Sequence, residues 1–187
     1  MAEVNPSLYM ESGCYTAEDD RNLTRALICA EGVHDLRGLS MAVVARSPAI
    51  MGIRVGTGSA FVQGDSATFQ GMYYVLNAGS VDMPIDPADP TDARIDRVVA
   101  RVHDSQYDSG PLDEWRLEVI SGMPSPAPAA PALPPSSVHL GYVTVPAGAT
   151  SIVAGNIDRS SVPQAALCRT LVPNARTNAV VYGAGSY

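Results

Sequence analysis

Residues 86–120, DPADPTDARIDRVVARVHDSQYDSGPLDEWRLEVI, constrain the fold of this chain more than any other stretch. The lead-in DPADPTD carries two prolines and three aspartates, a composition that reads as loop. Beyond it, Ile95, Val98 or Val99, and Val102 sit among Asp96, Arg97, Arg101 and Asp104, the near-alternation of a half-buried strand. After the turn-like DSQYDSGPLD, Trp115, Leu117 and Val119 alternate with Arg116, Glu118 and Ile120. The pattern predicts a long β-hairpin with a polar tip.

The rest of the chain supports a mainly β fold. Short apolar or alternating runs at 41–45, 50–55, 59–62 and 68–75 are broken by Ser47, Pro48, Gly56, Gly58, Gly64 and Asp65. Val81, Met83 and Ile85 alternate with Asp82 and Pro84, an edge strand by its proline. Closely spaced short strands with turn signals indicate a compact antiparallel sandwich or barrel. No βαβ alternation is visible, which disfavours a nucleotide-binding parallel sheet. One helix is expected near the N-terminus, with Thr16 as its cap and Glu18, Asp19 and Asp20 at the positive end of its dipole. Leu23, Ala26, Leu27 and Ala30 follow at helical spacing and Gly32 stops the run. The helix should therefore span about four turns and pack through Leu23, Leu27 and Ala30.

Residues 122–135, GMPSPAPAAPALPP, hold six prolines and cannot join a ladder. They read as an extended polyproline-type strap rather than a linker, because 138–145, VHLGYVTV, alternates again and must return to the same core. The chain thus divides into an arm (1–15), a β-rich module with its helix (16–160) and an extension (161–187). The extension carries Leu167, Leu171, Val172, Val180, Val181 and Tyr182 and is too apolar to be plain disorder. It is too short to fold alone, so it is expected to dock on a neighbour.

The 187 residues suffice for one domain with a real core, and 46% hydrophobic against 17% charged residues marks a globular chain. The net charge of −7, with no arginine cluster to offset it, argues against nucleic-acid binding. All twelve basic residues are arginines, which nothing physical requires. Cys14, Cys29 and Cys168 are odd in number and lack metal-ligand spacing. Buried free thiols are the expectation, with a bridge between Cys14 and Cys29 the lesser alternative. The N-terminus has no signal-peptide pattern and no apolar run approaches a membrane span. Synthesis in a cytoplasm follows, without a membrane partner.

The candidate motifs favour structural roles. Gly56, Thr57, Gly58 and Gly64 lack the spacing and the lysine of a phosphate loop and read as a hairpin turn. Asp86, Asp89 and Asp92 lack the glycine and terminal glutamate of a calcium loop. His34, His103 and His139 are dispersed, with no metal-binding spacing, and no G-x-S-x-G elbow occurs. No catalytic, cofactor or metal residues are assigned. Trp115, Tyr73, Tyr74, Tyr107 and Tyr142 read first as core or interface anchors and second as platforms for sugars. Arg94, Asp96 and Arg97 form the most notable polar group. Arg94 and Asp96, with Glu118 from the partner strand, are expected on one strand face, and Arg94, Asp96 and Arg97 at or near a subunit seam, holding register.

Across residues 15–159 the succession of segments resembles tail-tip and upper-baseplate (minor tail) proteins of long-tailed bacteriophages infecting actinobacteria. The segments are YTAEDDRNL, VGTGSAFVQG, GMYYVLNAGSVDMPI, DPADPTDARIDRVVARVHD, WRLEVISGMPSPAPAAPALPP and VPAGATSI followed by NIDR. Each is moderately specific alone, and they are more so jointly. The resemblance implies a non-enzymatic virion structural protein, commonly trimeric, that anchors to other tail or baseplate proteins and supports a host-recognition part. Many such proteins continue past the closing NIDR into fibre or receptor-binding domains, whereas this chain ends at Tyr187. An adaptor is expected on that basis. The alternative reading is a tail-tip protein that binds carbohydrate on the host envelope, with a surface glycan as partner.

Overall fold

A computed structural model describes residues 15–35 and 40–168. The arm before Tyr15 and the residues Leu171, Val172, Val180, Val181 and Tyr182 lie outside the described residues. Helix α1 (Ala17–Leu27) starts as its sequence demands. The Thr16 hydroxyl accepts the Asp19 amide, and the Asp19 carboxylate accepts the Thr16 amide at 2.9 Å. Among the described residues twelve strands follow: β1 (Ile28–Ala30), β2 (Gly32–His34), β3 (Val43–Ala45), β4 (Gly52–Val55), β5 (Gly58–Gln63) and β6 (Met72–Asn77) come first. Next are β7 (Val81–Pro84), β8 (Arg94–Asp104), β9 (Asp113–Ile120) and β10 (Ser137–Val145). A 3-10 turn (Ala154–Asn156) leads into β11 (Ile157–Asp158), and β12 (Ala166–Leu167) comes last.

The architecture is mainly β and sandwich-like, not a closed barrel. A four-stranded antiparallel sheet, β11-β10-β8-β9, shares one core with two three-stranded sheets, β2-β5-β6 and β3-β4-β7. Val98 and Ala100 of β8, Leu140 and Val143 of β10, Val62 of β5 and Ile53 of β4 all lie in that core with no exposed surface. The predicted hairpin is present as β8 and β9, closed where Asp104 faces Asp113. Pro84 does sit on an edge strand, β7.

The Pro-rich segment leaves β9 on one side of β8 and delivers the chain to β10 on the other. Both of its ends are tied to the same domain. The Ser125 amide donates to the Ala93 carbonyl at 3.0 Å, and the Ser136 amide donates to the Asp65 carboxylate at 2.8 Å. It acts as a crossover strap within one domain.

Four sequence expectations are corrected. First, α1 has 11 residues, about three turns, and buries none of them. Leu27 is 58% exposed and Ala30 belongs to β1. The helix docks by its polar face instead. Arg21, Asn22 and Arg25 donate to the carbonyls of Gln70, Phe69 and Thr68 at 2.8, 2.8 and 2.7 Å. Gly71, at φ +84°, makes room for it, since a Cβ there would come within 2.6 Å of the Arg21 Cβ. Second, the glycines at 56 and 58 do not close a hairpin, because β4 and β5 belong to different sheets and the turn carries the chain between them.

Third, the cysteines are not all free: Cys29 and Cys168 form a disulfide across a separation of 139 residues. Cys14 lies outside the described residues. Fourth, the module does not end at residue 160. The Val33 amide donates to the Pro163 carbonyl at 2.8 Å and the Ala165 amide to the Val33 carbonyl at 3.0 Å. After β11 pairs with β10, this segment runs beside β2 and ends as β12 on β1. Gly32 lets it pass, for a Cβ there would meet the Pro163 backbone at 2.6 Å. Residues 161–168 therefore lace the two layers together.

Candidate functional site

The lacing lies along one flank of the sandwich, where β11, β10 and β2 meet the C-terminal segment. Among the described residues, no C-terminal segment runs along the other flank. There β9 is the outermost strand of the long sheet, while β6 and β7 are outermost in the two shorter sheets. Two clefts follow β9 along this flank. Toward the hairpin tip, a cleft of about 530 Å³ has Tyr73 of β6 on one wall and Trp115 of β9 on the other. Val75 and Val102 supply its apolar part; of the acidic residues that line it, Asp113 accepts the Ser105 amide at 2.8 Å and Glu114 is ion-paired with Arg116. Toward Ile120, a cleft of about 390 Å³ has Met83 and Pro84 of β7 facing 117–121.

One end of the larger cleft is built by α1. The Arg21 guanidinium stacks 4.9 Å from the Tyr73 ring centroid, lies 3.7 Å from the Asp104 carboxylate and donates to the Tyr107 hydroxyl at 3.3 Å. Tyr107 in turn donates to Glu18 at 2.8 Å, and Tyr73 donates to Asp104 at 2.6 Å. Burial, reinforced by that bond to Asp104, pushes the Tyr73 hydroxyl far above its ordinary value, so it stays protonated and donating. The network continues inward through Gln70, whose amide reaches the Tyr73 hydroxyl at 3.1 Å and Ser136 at 3.4 Å. These bonds tie the wall to α1 on one side and to Ser136 on the other.

The residues singled out from sequence are dispersed. Arg94 and Asp96 form an ion pair at 2.9 Å inside the protein, with Asp96 wholly buried. Arg94 also donates to the carbonyls of Pro87 and Asp86 at 2.7 and 2.6 Å, and the Gly122 amide donates to Asp96 at 2.9 Å. The pair staples the acidic loop and the strap to β8, and its side chains present nothing to a neighbour. Glu118 is on the opposite face, because it sits across from Val99 rather than from an even-numbered position. It pairs with His103 at 2.7 Å and Arg101 at 3.7 Å. Arg97 also faces that side, 5.0 Å over the Tyr142 ring. Leu167 is 71% exposed in β12.

His139 lies on the same side, its ring 4.2 Å from that of Tyr142 and its Nε2 3.3 Å from the Ser161 hydroxyl. Burial, with the Arg97 charge adding to it, lowers its pKa to about 4. The acidic loop is self-contained. Asp89 accepts the amides of Thr91 and Asp92 at 2.8 and 2.9 Å, and those bonds hold its carboxyl below its ordinary value. On the outer face of β2-β5-β6, the Phe61 ring lies 5.8 Å from His34 and 5.3 Å from Tyr74. Tyr74 and Leu76 remain 51% and 55% exposed.

Sequence reasoning missed Arg21, Gln70 and Asp104. A signal for the first was present: Glu18, Arg21, Asn22 and Arg25 recur at one-turn spacing, a polar face as regular as the apolar one. Among the described residues, no group of three His, Cys, Asp or Glu side chains could hold a metal ion. No described helix is long and apolar enough to cross a membrane. Comparison with protein-family models, with curated proteins and with solved structures found no match.

Proposed function

We propose that this protein is a virion structural component of a bacteriophage tail tip or baseplate, an oligomeric and most simply trimeric adaptor that anchors or supports host-recognition components. The single observation that carries the reading is the apolar row on the outer face of β2-β5-β6. Phe61, Tyr74 and Leu76 are adjacent across paired strands there, and the last two are more than half exposed. Aromatic and aliphatic side chains grouped on a sheet face mark contact surfaces between proteins. The succession of segments across 15–159 supports the tail assignment, and the partners would be other tail or baseplate proteins.

Antibody raised against the chain should decorate the tail end of intact phage particles in negative-stain images. Decoration elsewhere on the particle, or none, overturns the virion assignment. The full-length chain should sediment as a trimer, and Leu76→Asp should release monomers without lowering the melting temperature. A wild-type monomer at tens of micromolar overturns the oligomeric part.

A further inference from the structure

We infer that residues 169–187 of this chain cover the open flank of their own domain, with 179–182 added as a strand on the free edge of β9. Among the described residues β9 pairs with β8 alone, so one side of its backbone meets no ladder partner. An unpaired edge of this kind invites strand addition. Trp115, Leu117 and Val119 of β9 are only partly buried against the core. The clefts of about 530 and 390 Å³ follow the same edge, so the side chains of an added strand have somewhere to go.

The reach of the chain selects the occupant. The Cys168 amide donates to the Leu27 carbonyl at 2.7 Å, at the C-terminal end of α1. Ala17 and Arg21, in the N-terminal half of the same helix, line the larger cleft. Leu27 and Ala17 are ten positions apart, about 15 Å along a helix axis. Residues 169–178 reach up to about 33 Å when extended, so 179–182 arrive at β9 with length to spare. Their sequence, AVVY, suits a strand, with Val180 and Tyr182 on one face. Charge sets aside the rival segment, the arm 1–14, which brings Glu3 and Glu11 and no arginine to a chain of net charge −7. Residues 169–187 bring Arg169 and Arg176 and no acid. Glu114 and Glu118 already have arginine partners, whereas Asp113, where the segment enters, has no ion pair among the described residues.

The test uses the full-length chain with photoreactive benzoylphenylalanine in place of Tyr182. Irradiation should join position 182 to a peptide from β9, β6 or β7, in a product with the denatured mobility of one chain. Hydrogen exchange supplies the second measurement. Val180→Asp should speed exchange of the β9 amides that point away from β8 by about tenfold or more, ~1.4 kcal/mol. The amides of β8 and β10 should be unchanged, which shows that the fold persists. The same variant should shift the emission of Trp115, the only tryptophan, to the red. A product of two chains would place the segment on a neighbour and overturn the inference. Crosslinks to other elements, β9 amides indifferent to Val180→Asp, or a label at Leu8 that reaches β9 in place of one at Tyr182 would overturn it as well.

Discussion

The Arg94 guanidinium and the Asp96 carboxylate meet 2.9 Å apart in the interior, two residues apart on one strand. Because side chains on a strand alternate, both point to the core face that Val98, Ala100 and Val102 continue. A buried pair of this kind is costly to break from one side, since the surviving charge has no solvent to turn to. Asp96→Ala should therefore destabilise the fold by about 3–5 kcal/mol, read by urea denaturation. The double variant Arg94→Met with Asp96→Leu should lose much less. If the double variant is as unstable as the single one, the bonds from Arg94 to the acidic loop matter more than the charge pair.

Helix docking predicts an inversion of the ordinary order of severity. Leu27→Asp, on an exposed position, should change stability by no more than about 0.5 kcal/mol. Arg21→Ala removes the bond to Gln70 and the contacts to Tyr73, Tyr107 and Asp104, and should cost about 1–3 kcal/mol. Thermal melts of the two variants decide it, and a more severe Leu27→Asp would mean that the helix docks by its other face.

The C-terminal lacing makes the position of a truncation decisive. A chain cut after Cys168 keeps every described contact of the C-terminal segment. One cut after Ser160 loses the bonds to Val33 and the bridge to Cys29, and should melt well below it. Cys168→Ser alone should cost about 2–5 kcal/mol, as for other native bridges that close long loops. Non-reducing peptide mapping should recover the Cys29 and Cys168 peptides joined. Recovery of Cys14 joined to Cys29 would refute the pairing.

His139 predicts a distinct acid limb. Burial and the Arg97 charge depress its pKa from 6.5 to about 4, so the folded chain refuses a proton that the unfolded chain accepts. Its contribution is fully favourable above about pH 6.5, declines as pH falls toward 4, and changes no further below that. His139→Gln should flatten the stability profile across this window, measured by urea denaturation at a series of pH values. Asp113 and Asp158 carry carboxyls held below their ordinary values by bonds to Ser105 and Ser160. Their losses fall at lower pH and should persist in the variant. An unchanged slope between pH 6.5 and 4 would show that His139 does not set it.

What was legible in the sequence is local. The capping box at Thr16, the alternation that makes β8 and β9 a hairpin, the edge proline of β7 and the strap that cannot join a ladder each depend on residues a few positions apart. Short-range geometry determines them, whatever the rest of the chain does. The tertiary structure decided everything that joins distant segments. Helical spacing defined two faces of α1 but not which one docks, because its partners are the carbonyls of Thr68, Phe69 and Gln70, and a carbonyl leaves no mark in a sequence. The glycines at 56 and 58 announced a turn and not which sheets it connects. The bridge between Cys29 and Cys168 exists because β12 is laid beside β1 by the lacing of the whole flank. The same lacing leaves β9, β6 and β7 as the open side. Trp115 and Tyr73 are 42 positions apart in the chain and meet across a cleft only because two sheets end there.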